Sequence, residues 1–173
     1  MKNSLVARGI GVLCVVLLSA DVLPAWGQAQ EKTAGKPTEL SLELAERFVA
    51  AARAKAQSNG WGMSFAVVDL AGHPVVLTRM DTARWLNSRV AQSKAFTAVT
   101  FRRPSAEVEE MTKTRPQLWT SLTAIVGQPL LPAGGGLPLI IKGELLGGVG
   151  VSGGTEAQDV ECARAGLDAI GAE

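Results

Sequence analysis

The chain has 173 residues, with 17 Lys and Arg against 16 Asp and Glu, one histidine and two cysteines. That even charge balance, with no basic strip interleaved with aromatics, excludes an electrostatic binder of nucleic acid or anionic membrane. One histidine and two cysteines are too few for a structural zinc site, and the length fits one domain around a single core.

Residues 1–27 read as an export signal. Lys2 and Arg8 give the positive start, and Ile10 to Ala20 form an apolar core too short for a permanent span. Ala25-Trp26-Gly27 sets small residues for cleavage before Gln28, and Gly27-Gln28-Ala29 offers a second position. Cys14 lacks the small neighbours of a lipoprotein box. Cleavage after Gly27 leaves 146 residues and removes Lys2, Arg8 and Asp21, so 15 basic side chains face 15 acidic ones. Only Cys162 then remains, and no internal disulfide forms. The expectation is a periplasmic or secreted protein with no stable membrane span after cleavage.

Residues 28–39 are polar, contain Gly35 and Pro37, and read as a flexible tail ahead of a domain over 40–173. Ser41 caps a helix whose stripe is Leu42, Ala45, Val49, Ala52 and Ala56, ended by Asn59-Gly60. Met63–Asp69 and Pro74–Met80 are strands around the turn Leu70-Ala71-Gly72-His73. His73, beside a turn glycine, is either a solvated loop residue or a metal or haem ligand.

Trp85 to Arg103 reads as a helix with a small-residue face, Ala91, Ala95 and Ala98, suited to close packing on a sheet or another subunit. Lys94 falls among these apolar neighbours. It either snorkels its head to water or faces a carboxylate in a cleft. Pro104 breaks the helix and Ser105 caps the next, whose Glu107, Glu109 and Glu110 are a solvated face or a metal site. Pro116 interrupts again, and Leu118, Leu122 and Ile125 form a last apolar stripe beside Trp119, an anchor residue.

The stretch 131–159 is the most legible. Leu137–Ile141 is a strand, Lys142-Gly143 a hairpin turn, and Leu145–Val151 the returning strand. Its glycines weaken it unless another backbone or a ligand comes close. Thr155 to Gln158 is a capping box, after which Val160, Ala163, Leu167 and Ile170 face inward. Gly148-Val149-Gly150-Val151-Ser152-Gly153 has dinucleotide-fingerprint spacing, but the chain has no further strand for a parallel βαβ unit. The glycine-rich helix start can hold a carboxylate or other anion, or be a structural bend. The residues together predict an α/β (α+β) domain with a shallow glycine-lined pocket and no evident catalytic machinery.

The segments AVVDLAGHPV (66–75), SKAFTAVTFRRPS (93–105) and LPAGGGLPLIIKGELLGGVGVSGGTEAQD (131–159), in this order, resemble the GlcG/HbpS family of haem-binding domains. The same domain forms the C-terminal part of PduO-type proteins. The resemblance covers about residues 40–171. It implies a central, mainly antiparallel sheet flanked by helices in a profilin-like arrangement. It also implies homo-oligomers from dimer to octamer, and haem as the cofactor of exported members. It carries over a cleft of Arg79, Lys94, Gly135, Ser152 and Gly153. Haem iron takes His, Met, Cys or Tyr; with no tyrosine here, the candidates are His73, Met63, Met80, Met111 and Cys162. Three functions follow: an exported haem-binding, haem-buffering or haem-sensing protein, a small-carboxylate or hydroxy-acid binder or enzyme using Lys94 and the glycine-rich helix start, or an oligomeric interaction module.

Overall fold

A computed structural model describes residues 39–173. The export signal over 1–27, and all of the 28–39 tail except Glu39, lie outside the described residues. The elements run α1 (Leu42–Ser58), β1 (Ser64–Val68), β2 (Pro74–Arg79), α2 (Asn87–Phe101), a 3-10 turn (Ser105–Val108), α3 (Glu109–Thr114), α4 (Pro116–Ile125), β3 (Gly136–Ile141), β4 (Glu144–Ser152) and α5 (Glu156–Asp168). Among the described residues, no helix is long and apolar enough to cross a membrane.

The four strands form one sheet in the order β2-β1-β4-β3. Every neighbouring pair is antiparallel, so two hairpins meet along β1 and β4. The fold is therefore α+β, with an antiparallel sheet flanked by helices, as expected. The β3–β4 turn holds Lys142 at φ 54 and Gly143 at φ 77. Positive φ at both central residues gives the twist that a two-residue hairpin demands.

Alternation along β4 sorts the two faces. Val149 and Val151 join Phe65, Val67, Leu137 and Leu139 in the larger core, closed by α1 and α5 through Phe48, Ala52, Cys162 and Leu167. Gly148 and Gly150 face the other way, toward α2. A side chain on Gly148 would strike the Ala95 carbonyl, one on Gly150 the Ala91 carbonyl, and one on Gly136 the Lys94 carbonyl. Bare glycine backbone on the sheet meets the alanine stripe of the helix, and the two backbones approach closely. The small-residue face of α2 thus packs on its own sheet. These glycines are filled space rather than a ligand-lined opening, which corrects the expected glycine-lined pocket.

Other differences are local. Helix α2 spans two residues fewer at each end than expected, because Leu86 starts it without a side-chain cap and Arg102 ends it at φ 53. Ser105 caps no helix; it sits inside the 3-10 turn, where its hydroxyl donates to the Ala133 carbonyl and accepts the Gly136 amide at 3.0 Å. That pair of bonds bolts the loop before β3 to the end of α2. The α4 stripe forms but stays uncovered: Leu118 is 42% and Ile125 76% exposed, and no residue of α4 is buried. Trp119 instead stacks its ring 6.4 Å from that of Phe101.

Candidate functional site

Three places collect the residues singled out by sequence. The first is the junction of β4 with α5. Lys94 falls on the buried stripe of α2, three residues after Ala91 and one before Ala95, so helical geometry carries it inward. Its head group does not snorkel. Lys94 is 4% exposed, and Nζ donates to Asp159 Oδ2 at 2.6 Å and to the Val151 carbonyl at 3.3 Å. Asp159, 2% exposed, accepts the Gly154 amide on Oδ1 at 3.0 Å. Glu156 takes the Gly134 amide at 2.8 Å. The capping box of Thr155 and Gln158 is formed as expected.

Gly135, at φ 111, threads between these groups; a Cβ there would lie 2.7 Å from Asp159 Cβ and 3.2 Å from Lys94 Nζ. Ser152 is buried beside this junction and Gly153 exposed. The structure therefore brings Lys94 and Gly135 together, while Ser152 pairs with Ser64 on β1 and Gly153 lies against Gly62 and Met63. The carboxylate facing Lys94 is the protein's own, however, and no cleft separates them. At the helix start itself, Asp159 takes the Gly154 amide and the capping box takes those of Thr155 and Gln158, while Glu156 reaches the Gly134 amide in the loop before β3.

The second place is the turn between β1 and β2. Asp69 Oδ1 accepts the amides of Ala71 and His73, both at 2.9 Å. Its other oxygen lies 3.7 Å from His73 Nδ1, and the His73 side chain is 73% exposed. Gly72, at φ 82, seats the turn on the ring of Phe96. A hollow of about 360 Å³ adjoins the turn, with Leu40, Leu70, Leu145 and Leu146 on its walls and Glu39, Asp69 and Glu144 at its polar margin.

The third place lies at the far end of β2. Arg79 and Met80 line a hollow of about 320 Å³ together with Arg53 and Thr78. The Met80 sulfur accepts the Met63 amide at 3.5 Å.

The candidate iron donors separate clearly. Met63 and Cys162 are fully buried, and Met80 is held by its backbone contact. Burial, and then the negative charges of Asp159 and Glu161, push the Cys162 thiol up to about 11. Met111 is half-buried on α3. His73 is the donor presented most openly to solvent. Glu109 pairs with Lys113 at 2.8 Å, and among the described residues no three metal-ligating side chains converge. Sequence reasoning missed Asp159 as the partner of Lys94, and missed Arg53 and Thr78 entirely. The first carried a signal: a lysine on a buried alanine stripe demands an acid, and the first turn of α5 supplies two.

A family model described as "Haem degrading protein HbpS-like" matches residues 40–168. The chain belongs to the HbpS-like family. Protein GlcG of Escherichia coli strain K12 is 40% identical over 114 residues, which are 65% of this chain and 81% of GlcG. Among solved structures similar to this HbpS-like chain, the PduOC:haem complex has TM-score 0.69 and 30% identity, covering 78% of this chain and 97% of that one. A double mutant of Streptomyces reticuli HbpS has TM-score 0.67 and 33% identity, covering 84% and 97%. The GlcG/HbpS resemblance read from the three segments thus holds along nearly the whole HbpS-like domain.

Proposed function

We propose that this chain is an exported haem-binding protein that takes haem at the His73 turn. The observation that carries the reading is His73 itself. Its ring is open to solvent, and the Asp69 carboxylate stands 3.7 Å from Nδ1. Metal-binding histidines commonly have a carboxylate behind the ring. Nε2 is left for the iron. The adjoining hollow offers Leu40, Leu70 and Leu145 to one side of a flat apolar ring. Glu39 and Glu144 repel propionates, so these face water. The likeness to the PduOC:haem complex supports haem as the ligand, and the signal pattern of residues 1–27 supports export.

The donor set fits haem held at a surface rather than swallowed in the core. When bound, haem supplies an iron centre able to take part in redox or oxygen chemistry. The residues of this chain orient the ring and set its access to water. An exposed single-histidine site suits buffering or hand-over better than a sealed catalytic pocket.

Hemin titration tests the reading. A saturable Soret shift is expected, and His73→Ala is expected to weaken or reshape it. A Soret band that survives His73→Ala unchanged but is altered by Met111→Leu moves the site to α3 and overturns the assignment. A free-hemin spectrum at micromolar protein overturns haem binding altogether.

A further inference from the structure

The hollow at the far end of β2 has a character shared by none of the other hollows described. Arg53, exposed on α1, and Arg79, the last residue of the edge strand, both line it, against a single acid, Asp81. The hollow beside α2 is also net positive, but through Arg89 alone, and elsewhere the balance differs. The hollow beside the His73 turn is acidic, and the one beside α3 sets Arg103 and Arg115 against Glu107 and Glu110. Neither Arg53 nor Arg79 has an ion-pair or hydrogen-bond partner among the described residues, Asp81 included. Arg53 and Arg79, neither of them paired, border one concave surface whose lining residues carry a net positive charge.

A second, independent observation falls at the same spot. Thr78 lines this hollow, and its Oγ1 is the one buried side-chain polar atom without a hydrogen-bond partner among the described residues. A buried hydroxyl left unpaired is unfavourable, so its place in a native fold calls for an explanation. The floor is rigid. Phe65 is fully buried, and Met80 is tied to Met63 through its amide at 3.0 Å and its sulfur at 3.5 Å. An apolar floor, two guanidiniums and a spare hydroxyl together suit an anion on a short carbon skeleton better than a bare inorganic ion.

We propose that this hollow binds a short-chain dicarboxylate carrying a hydroxyl group. Arg53 and Arg79 receive the carboxylates, and the carbon chain lies over Phe65 and Met80. One staggered step about χ1 of Thr78 turns its hydroxyl into the hollow to meet the ligand hydroxyl. The site is independent of the haem reading. His73 and Arg79 flank β2 at opposite ends, about 20 Å apart at ~3.3 Å per residue.

Isothermal titration calorimetry of the full chain with malate, succinate and inorganic phosphate tests this. Malate is expected to bind saturably, with succinate weaker and phosphate weaker still. Arg53→Gln and Arg79→Gln are each expected to cut malate affinity about tenfold. Both residues lie at the surface, so the melting temperature of the unliganded protein stays as it is. Thr78→Val keeps the β-branched shape and removes the orphan hydroxyl; it is expected to lower malate to the level of succinate without destabilising the fold. His73→Ala leaves malate binding unchanged, and Arg53→Gln leaves the hemin Soret band unchanged, so failure of either site is read separately. Phosphate binding as tightly as malate overturns the dicarboxylate assignment. Absence of saturable heat with both organic acids, or undiminished malate affinity in both arginine variants, overturns the site.

Discussion

Replacing Lys94 by methionine keeps the length and apolar stem of the side chain and deletes only its charge. In the folded protein Lys94 is 4% and Asp159 2% exposed, and Nζ sits 2.6 Å from Oδ2. The variant leaves a carboxylate buried among Gly135, Val151 and a methionine, with one remaining bond, from the Gly154 amide at 3.0 Å. Removing one member of a buried pair typically destabilises by about 3–5 kcal/mol, because the other charge stays uncompensated. A domain of this size has about 5–15 kcal/mol in total. Urea unfolding followed by tryptophan fluorescence should therefore show the midpoint falling by about 2 M, at ~2 kcal/mol per M. The double variant Lys94→Met with Asp159→Asn removes both charges and retains an oxygen for the Gly154 amide, so it should recover at least half of the loss. A single variant within about 1 kcal/mol of the parent, or a double variant no better than the single, would show that this pair does not hold α2 to α5.

Two further outcomes follow from packing and titration. Gly150→Ala should destabilise by about 2–3 kcal/mol, because the new methyl meets the Ala91 carbonyl and lies 2.8 Å from the Ala95 amide nitrogen, both backbone atoms. Gly60→Ala, at φ 69 with open space around it, should lose only about 1 kcal/mol, from backbone strain; thermal melts showing the reverse order would refute the account of α2 packing. Cys162, raised from 9.0 to about 11 chiefly by burial, stays protonated in the folded chain after the unfolded thiol has ionised. Its contribution is full below pH 9 and is lost as pH rises toward 11, by at most about 3 kcal/mol. The stability difference between the parent and Cys162→Ala should shrink over that window, and a flat difference from pH 8 to 11 would refute it.

The frame of the domain was legible because local signals agreed with one another. Ser41 bonds the Leu44 amide at 3.2 Å, and Gly60 takes the left-handed conformation after α1. Lys142-Gly143 makes the two-residue turn, and Thr155 with Gln158 closes the capping box. Each of these depends on residues within a few positions of one another. What failed depends on distant partners. Lys94 reads equally as a snorkelling lysine or as one facing a carboxylate, because nothing in its own helix says that Asp159, 65 positions later, arrives at its head. Ser105 had the composition of a helix cap, yet the nearest needy backbone was Gly136, brought in by the sheet. The apolar stripe of α4 was readable, but whether a helix face is covered depends on where the chain goes next.

The glycine run illustrates the same limit from the side of function. Glycines before a capped helix are what an anion site needs, and they are equally what a helix needs to lie directly on a sheet. Sequence does not separate the two, since both uses want a missing side chain. The deciding quantity is who occupies the amides. Here Glu156 takes Gly134 and Asp159 takes Gly154, so the negative charge that the helix start attracts is covalently part of the chain. With that charge in place Lys94 is neutralised as well, and a second anion would meet a site with no net positive charge left. The two sites we propose accordingly lie off the sheet centre, at opposite ends of β2, with the exposed His73 at one end and Arg53 and Arg79 at the other.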